Sequence, residues 1–135
     1  MGLVEILPAP AIFFSGMAGS VLPIAVAHGE GRAEFVNEAA ERDCTHGGLV
    51  SLRWVDNHGK VAVAYPSNPN GSPAGITGLT TTDGRVTILM PHPERCFLPW
   101  QAHWLPEHLR RTLTASPWLK IFQNAREWCE GKREP

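Results

Sequence analysis

A histidine and a glutamate two positions apart, each preceded by a proline, form the most chemically suggestive feature of the sequence. They are His92 and Glu94 in the stretch MPHPERCF, residues 90–97, which follows an apolar run. On an extended chain, side chains at positions i and i+2 lie on the same face. The spacing therefore allows a histidine base and its orienting carboxylate to reach one site, where the histidine takes a proton from a nucleophile.

The same spacing also has an ordinary explanation. The H-x-E pattern is common, and a surface histidine beside a solvated glutamate, with Arg95 as the ion partner, would need no function. The spacing alone leaves both interpretations open.

A histidine base needs a nucleophile, and the nearest thiol in the sequence belongs to Cys96. The two prolines around His92 oppose a helix, and on an extended chain residues 92 and 96 are about 13 Å apart. Cys96 is therefore expected to be a small buried residue rather than the nucleophile. Cys44 and Cys129 fall in helix-like segments without a glycine elbow, so a structural role is expected for them as well.

Two further groups of polar residues lack a decisive pattern. HGEGR, residues 28–32, could be a ligand-binding loop or a turn with a surface ion pair, and both remain open. Cys44 with His46 and His103 with His108 lack the additional partners of a closed coordination shell, so no metal site is expected.

Composition narrows the class of protein. Twelve Lys and Arg balance thirteen Asp and Glu, and without a basic run nucleic acid is not an expected partner. Three widely spaced cysteines without a C-x-x-C pair argue against a disulfide framework and indicate a reducing, cytoplasmic compartment. Residues 6–27 carry no charge, but prolines and glycines interrupt them, so they predict buried strands joined by turns and not a membrane span or signal peptide.

Apolar runs and turn residues predict both strands and helices. Strands are predicted over residues 11–14, 22–27, 49–55, 60–66, 76–81 and 85–90, the last four as two successive hairpins. Helices are predicted over residues 35–46 and from Ser116 to Gly131. The last strand would deliver His92 and Glu94 beyond its C-terminal end, where α/β sheets commonly place ligands.

Four stretches in one order carry a family resemblance. They are LPIAVAHGEGRAEF, GLVSLRWVDNHGKV, YPSNPNGSPAGITGLTTTDGRVTILMPHPER and SPWLKIFQNAREW. Together they resemble the C-terminal end of phosphoribosylformylglycinamidine synthase, in the large single-chain form used in purine biosynthesis. The resemblance extends from about residue 4 to residue 128.

The resemblance implies a fold and a set of roles. The fold would be α/β, part of a class I (flavodoxin-like) glutamine amidotransferase domain, with a mixed sheet, β-hairpins and a C-terminal helix. A cysteine of the family attacks the glutamine side-chain amide; His92 matches the histidine that activates it and Glu94 the carboxylate that orients the histidine. Ammonia passes to a separate synthetase region that uses ATP and magnesium, so no cofactor is expected in this chain.

One part of the family pattern is missing. The family's nucleophile lies in an elbow of the G-V-C-N-G-C kind, whereas no cysteine precedes Cys44 here. The resemblance thus implies that residues 1–135 are the C-terminal portion of one glutaminase domain, with glutamine and the missing N-terminal part as partners. Alone, such a chain would be inactive. The alternative is a truncated, non-catalytic interaction module.

Overall fold

One curled sheet of five antiparallel strands organises the structure. The computed structural model describes residues 1–27, 31–102 and 105–132. The sheet has the strand order β2-β1-β3-β4-β5. The strands are β1 (Gly2–Ile6), β2 (Val21–Ile24), β3 (Val50–Val55), β4 (Ile76–Thr80) and β5 (Thr87–Leu89).

Three helices accompany the sheet in the described part of the chain. They are α1 (Glu38–His46), α2 (Glu107–Thr112) and α3 (Leu119–Cys129), and short 3-10 turns include Ile12–Phe14 and Pro93–Arg95. α1 begins where the side chain of Asn37 accepts a hydrogen bond from the amide of Ala40 at 2.9 Å, which satisfies one of the free donors of the first turn. In the part of the chain that the structure describes, no helix is both long and apolar enough to cross a membrane.

The core lies against one face of the central strands. In the β1–β3 register, Val4 is opposite Trp54 and Ile6 is opposite Leu52. All four side chains are almost completely buried. Alternate residues of a strand share a face, so this register directs these four apolar side chains of β1 and β3 to one side.

The C-terminal helix closes this core. Trp118, just before α3, is buried and donates from its Nε1 to the carbonyl oxygen of Pro23 at 2.7 Å. Asn124 within the helix donates from Nδ2 to the carbonyl oxygens of Phe13 and Ser15 at 2.8 and 2.9 Å. Two widely separated parts of the sequence are thereby held together by side-chain to backbone hydrogen bonds.

Most predicted elements are present. β3, the hairpin of β4 and β5, and the helices α1 and α3 lie where the sequence predicts them. β2 covers the first part of the strand predicted over residues 22–27. β1 and α2 are not predicted from the sequence.

Two predicted strands are wrong. The apolar run at residues 11–14 forms the turn Ile12–Phe14, in which the amide of Phe14 bonds back to the carbonyl oxygen of Ala11 at 3.0 Å. A short apolar run does not distinguish a strand from a buried helical turn. Residues 60–66 make only the single bridge between Val55 and Val61. The pairing does not continue, because the carbonyl oxygen of Ala62 accepts a hydrogen bond from the side chain of Asn68 in the following loop.

The α/β fold with a β-hairpin and a C-terminal helix agrees with the predicted class, but the sheet is not mixed within the described residues. All four neighbouring strand pairs are antiparallel. Parallel neighbours need a long crossover, usually a helix. α2 and α3 follow the last strand, and α1 joins β2 to β3, which are not neighbours, so none of them makes such a crossover.

The tip of the β4–β5 hairpin is held close to the loop before the first 3-10 turn. The amide of Ile12 donates to the carbonyl oxygen of Gly84 at 3.1 Å. Gly84 has a φ of 68°, and a Cβ at this position would overlap the carbonyl oxygen of Pro10. Only glycine satisfies both conditions without displacement.

We expect Gly84→Ala to lower the free energy of unfolding by about 3 kcal/mol, because a steric overlap with backbone adds to the cost of a positive φ. Gly59→Ala is the matched control, since Gly59 has a φ of 74° and open space around its Cβ position; it should cost about 1 kcal/mol. Urea denaturation of both variants measures the difference. Equal losses would contradict the role of the Gly84 contact.

Candidate functional site

The backbone of His92 is fixed from both ends of the sheet. At the end of β5, the amide of Met90 donates to the carbonyl oxygen of Thr77 at 3.1 Å. Two residues later, the amide of His92 donates to the carbonyl oxygen of Ala25, just beyond β2, at 2.9 Å. β2 and β5 are the two outer strands, so this bridge exists only because the sheet curls.

The side chains of His92 and Glu94 are in contact. Nδ1 of His92 lies 2.7 Å from Oε1 of Glu94. The chain is not extended here, as the sequence argument assumed: Pro93–Arg95 form a 3-10 turn that folds the carboxylate back onto the ring. Proline suits the first position of such a turn because its φ is already close to the helical value.

This contact determines which nitrogen of His92 is basic. An ionised carboxylate can only accept a hydrogen bond, so Nδ1 carries the proton in the pair. Nε2 is then the nitrogen that can take a proton from a donor. The arrangement is that of a histidine base with an orienting carboxylate.

Arg95 adds a second, weaker contact to the same carboxylate. Its Nε lies 3.7 Å from Oε1 of Glu94, and both side chains are more than half exposed. An ion pair this exposed contributes little to stability. Arg95 is thus an ion partner of Glu94 alongside the shorter contact with His92.

Cys96 lies beneath the turn and is not exposed to substrate. It is 2% exposed, and its Sγ donates to the carbonyl oxygens of His92 and Pro93, each at 3.5 Å. Burial, followed by the nearby charge of Glu94, raises the pKa of the Cys96 thiol, although a backbone hydrogen bond with Ala25 acts in the opposite direction. A buried, protonated thiol is a poor nucleophile, so Cys96 supports the turn.

Two bulges adjust the register of the strands behind the site. β3 and β4 slip by one residue twice, which leaves one extra residue on each strand, Ser51 on β3 and Thr77 on β4. The carbonyl oxygen of Thr77 is the one that accepts from Met90. A bulge changes the local direction of a strand, and the bulge at Thr77 lies where β5 leaves the sheet.

The loop NPNGSP is organised by one buried asparagine. Asn68 donates from Nδ2 to the carbonyl oxygens of Ala62 and Ser72 at 3.1 and 2.9 Å, and its Oδ1 accepts from the amide of Ser72 at 3.1 Å. The hydroxyl of Ser72 in turn accepts from the amide of Ala33 at 3.0 Å. The sequence predicts a turn-rich loop here, but nothing in it identifies which asparagine is buried.

The remaining candidate residues do not join the His92–Glu94 pair. Within HGEGR, residues 28–30 lie outside the described residues, and Arg32 is exposed. His103 also lies outside them, and His108 is exposed on α2. Across residues 1–27, 31–102 and 105–132, no group of three or more His, Cys, Asp or Glu is arranged to hold a metal ion.

A groove of about 720 Å³ lies between the β1–β2 edge and the segment around α2. It is lined mainly by apolar side chains, among them Leu22, Leu109 and Trp118, and among the described lining residues Cys96 is the one with a titratable side chain. Free glutamine carries a carboxylate and an ammonium group, which need charged or polar partners. The described lining residues of the groove supply no charged side chain to either group.

We expect iodoacetamide at neutral pH to modify Cys129, which is exposed, and to spare Cys96. A raised thiol pKa lowers the thiolate fraction, and burial also excludes the reagent. Mass spectrometry of digested protein, with and without denaturant, measures both sites. Equal labelling of the two cysteines in the folded chain would contradict the buried placement of Cys96.

Two comparisons with known proteins concern the family and the fold of the chain. Residues 2–129 match the CobB/CobQ-like glutamine amidotransferase domain. Among solved structures, the structure of PurLQS from Thermotoga maritima is similar in fold, with a TM-score of 0.57 at 24% sequence identity. The similarity covers 95% of this chain and 46% of that chain, so this chain spans about half the length of the structure it matches.

The family match covers nearly the whole sequence and confirms the predicted fold class. The chain belongs to the CobB/CobQ-like glutamine amidotransferase domain family.

Proposed function

We propose that the chain supplies the histidine and glutamate of a Cys-His-Glu glutaminase, which releases ammonia from glutamine for phosphoribosylformylglycinamidine synthase. The observation that carries the proposal is the 2.7 Å contact between Nδ1 of His92 and Oε1 of Glu94 at the end of β5. It occurs in a chain of the glutamine amidotransferase family. The motif resemblance and the fold shared with PurLQS support this particular synthase.

The two residues would act in both halves of the reaction. Nε2 of His92 takes the proton of a cysteine thiol, and the resulting thiolate attacks the side-chain amide carbon of glutamine. The C–N bond breaks, the proton passes from His92 to the leaving nitrogen, and ammonia is released. Water then hydrolyses the thioester to glutamate, again with His92 as the base. Glu94 keeps the ring oriented and stabilises the imidazolium that forms twice.

The thiol would come from polypeptide outside these residues. A nucleophile of this kind sits on a tight turn between a strand and a helix. Cys96 is buried beneath the turn that carries His92, while Cys44 and Cys129 lie within α1 and α3. We therefore interpret residues 1–135 as the C-terminal portion of one glutaminase domain of the large single-chain synthase, inactive without the portion that carries the nucleophile.

The rest of the reaction belongs to other parts of the synthase. ATP and magnesium act in its synthetase region, where ammonia converts formylglycinamide ribonucleotide to the amidine. The three free cysteines of this chain support a reducing, cytoplasmic location.

We expect the chain mixed with the nucleophile-bearing portion to release ammonia from glutamine, and His92→Ala to abolish this activity. Glu94→Gln should lower kcat on the order of 10⁴-fold with little change in KM, since the wrong tautomer of His92 is then favoured. Coupled detection of ammonia with glutamate dehydrogenase measures both effects.

His58→Ala is the matched control, because His58 is an exposed histidine in the turn after β3. It should leave kcat unchanged. Full activity of His92→Ala in the mixture would refute its role as the base. Cysteine-dependent ammonia release by the chain alone would refute the proposed origin of the nucleophile. Binding of the two portions without any glutaminase activity would favour the interaction module.

A further inference from the structure

A second cleft lies beside the groove, between the 3-10 turn Pro99–Gln101 and helix α2. Its volume is about 500 Å³, a size typical of small-molecule sites in proteins. Trp100 of the turn lines it, and Leu105 and Leu113 are among its apolar lining residues. Arg110 of α2 is the one described lining residue with a charged side chain. Apolar walls with a single charged group are typical of a site for a small organic molecule.

The cleft is built on a segment whose two ends are joined. The amide of Ser116, before α3, donates to the carbonyl oxygen of Phe97 at 2.8 Å. Near the start of the segment, Pro99–Gln101 form the 3-10 turn, and Oε1 of Gln101 accepts from the amide of Leu98 at 2.9 Å. Proline restricts φ at the first position of the turn. The turn that carries the tryptophan is therefore fixed by a ring and by a side-chain hydrogen bond.

The indole of Trp100 is largely in water. Trp100 is 76% exposed, whereas Trp54 and Trp118 are buried. Tryptophan side chains are mostly buried on average, so such exposure beside a cleft is unusual. Among the described residues, the cation–π contact is that of Arg85 over Trp128, so it does not cover this indole. A fixed and exposed indole provides a surface on which a planar ring can stack.

The charge of the cleft comes from α2. Nη2 of Arg110 lies 2.6 Å from Oε2 of Glu107, and Nε of Arg111 lies 2.7 Å from Oε1 of the same carboxylate. Two guanidinium groups thus share one carboxylate, which leaves the three side chains with a net positive charge. Guanidinium groups bind phosphates and carboxylates through N–H donors in a fixed planar arrangement. The charge of this group is therefore complementary to an anion.

We propose that this cleft binds a small planar aromatic anion, with the ring stacked on Trp100 and the anionic group bound by Arg110. A nucleoside monophosphate and an aromatic carboxylate share this chemistry. A neutral ring or a bare anion makes one of the two contacts and should bind more weakly. Neither His92 nor Glu94 is among the described residues that line the cleft, so the proposal is independent of the proposed function.

The first test is isothermal titration calorimetry of the chain with two pairs of probes. Adenosine monophosphate is compared with adenosine, and phenylacetate is compared with phenylacetamide. We expect the anionic probe of at least one pair to bind about 10-fold more tightly than its neutral counterpart, because the neutral one loses a charge-assisted hydrogen bond. The pair with the tighter anion identifies the source of the ligand. Failure of both anions to bind, or equal affinity within both pairs, would overturn the proposal.

Two variants test the residues. Trp100→Ala and Arg110→Gln should each weaken binding of the tighter anion by about 10-fold, since one removes the stacking surface and the other the charge. Tyr65→Ala is the control for the aromatic residue, because Tyr65 is 82% exposed in the loop after β3. Arg42→Gln is the control for the charge, because Arg42 on α1 is also paired with a glutamate, Glu38. Both controls should leave affinity unchanged. Wild-type affinity in Trp100→Ala and Arg110→Gln would contradict the proposed contacts.

Nuclear magnetic resonance of the unmodified chain gives a measurement that does not depend on the folding of a variant. The indole N–H signal of Trp100, assigned by its loss in Trp100→Ala, should shift as the tighter anion is added. The signal of Trp54, which is 1% exposed, should not. Binding that shifts the signal of Trp118, which lines the groove, and leaves that of Trp100 unchanged would also overturn the proposal.

Discussion

The hydrogen bond from the amide of His92 to the carbonyl oxygen of Ala25 joins the two ends of the sheet at the point where the candidate site begins. Both residues lie just beyond outer strands, so the bond requires the sheet to curl. The core under β1 and β3, the cover of α3 and the anchor of Trp118 on Pro23 all maintain that curl. The position of the His92 ring is thus a property of the whole described fold.

The sequence predicts those elements whose stabilising residues are neighbours along the chain. The β4–β5 hairpin carries its own turn residues and α3 its own apolar spacing, so both lie where the sequence predicts them. The strand predicted over residues 60–66 fails because the buried side chain of Asn68 takes the carbonyl group of Ala62 that a strand would have used. β1 is missed because it is only five residues long, and its register is set by pairing with β2 and β3, which follow later in the chain.

In the candidate site too, the sequence predicts some features and misses others. The H-x-E spacing identifies His92 and Glu94, but the turn Pro93–Arg95 brings them together, not an extended backbone. A proline at the first position of the turn fits both conformations, so spacing could not separate them. The bulges at Ser51 and Thr77 are also beyond sequence analysis, because they exist only in the pairing of two strands.

The short strand β5 connects the stability of the sheet to the position of the candidate site. Burying a valine or isoleucine side chain is worth about 1.5 to 3 kcal/mol, but Val86 just before β5 and Ile88 within it remain largely in water. β5 has only three residues and is held on one side by β4. The position of the turn that carries His92 therefore depends on the pairing of β5 with β4 and on the hydrogen bond between His92 and Ala25.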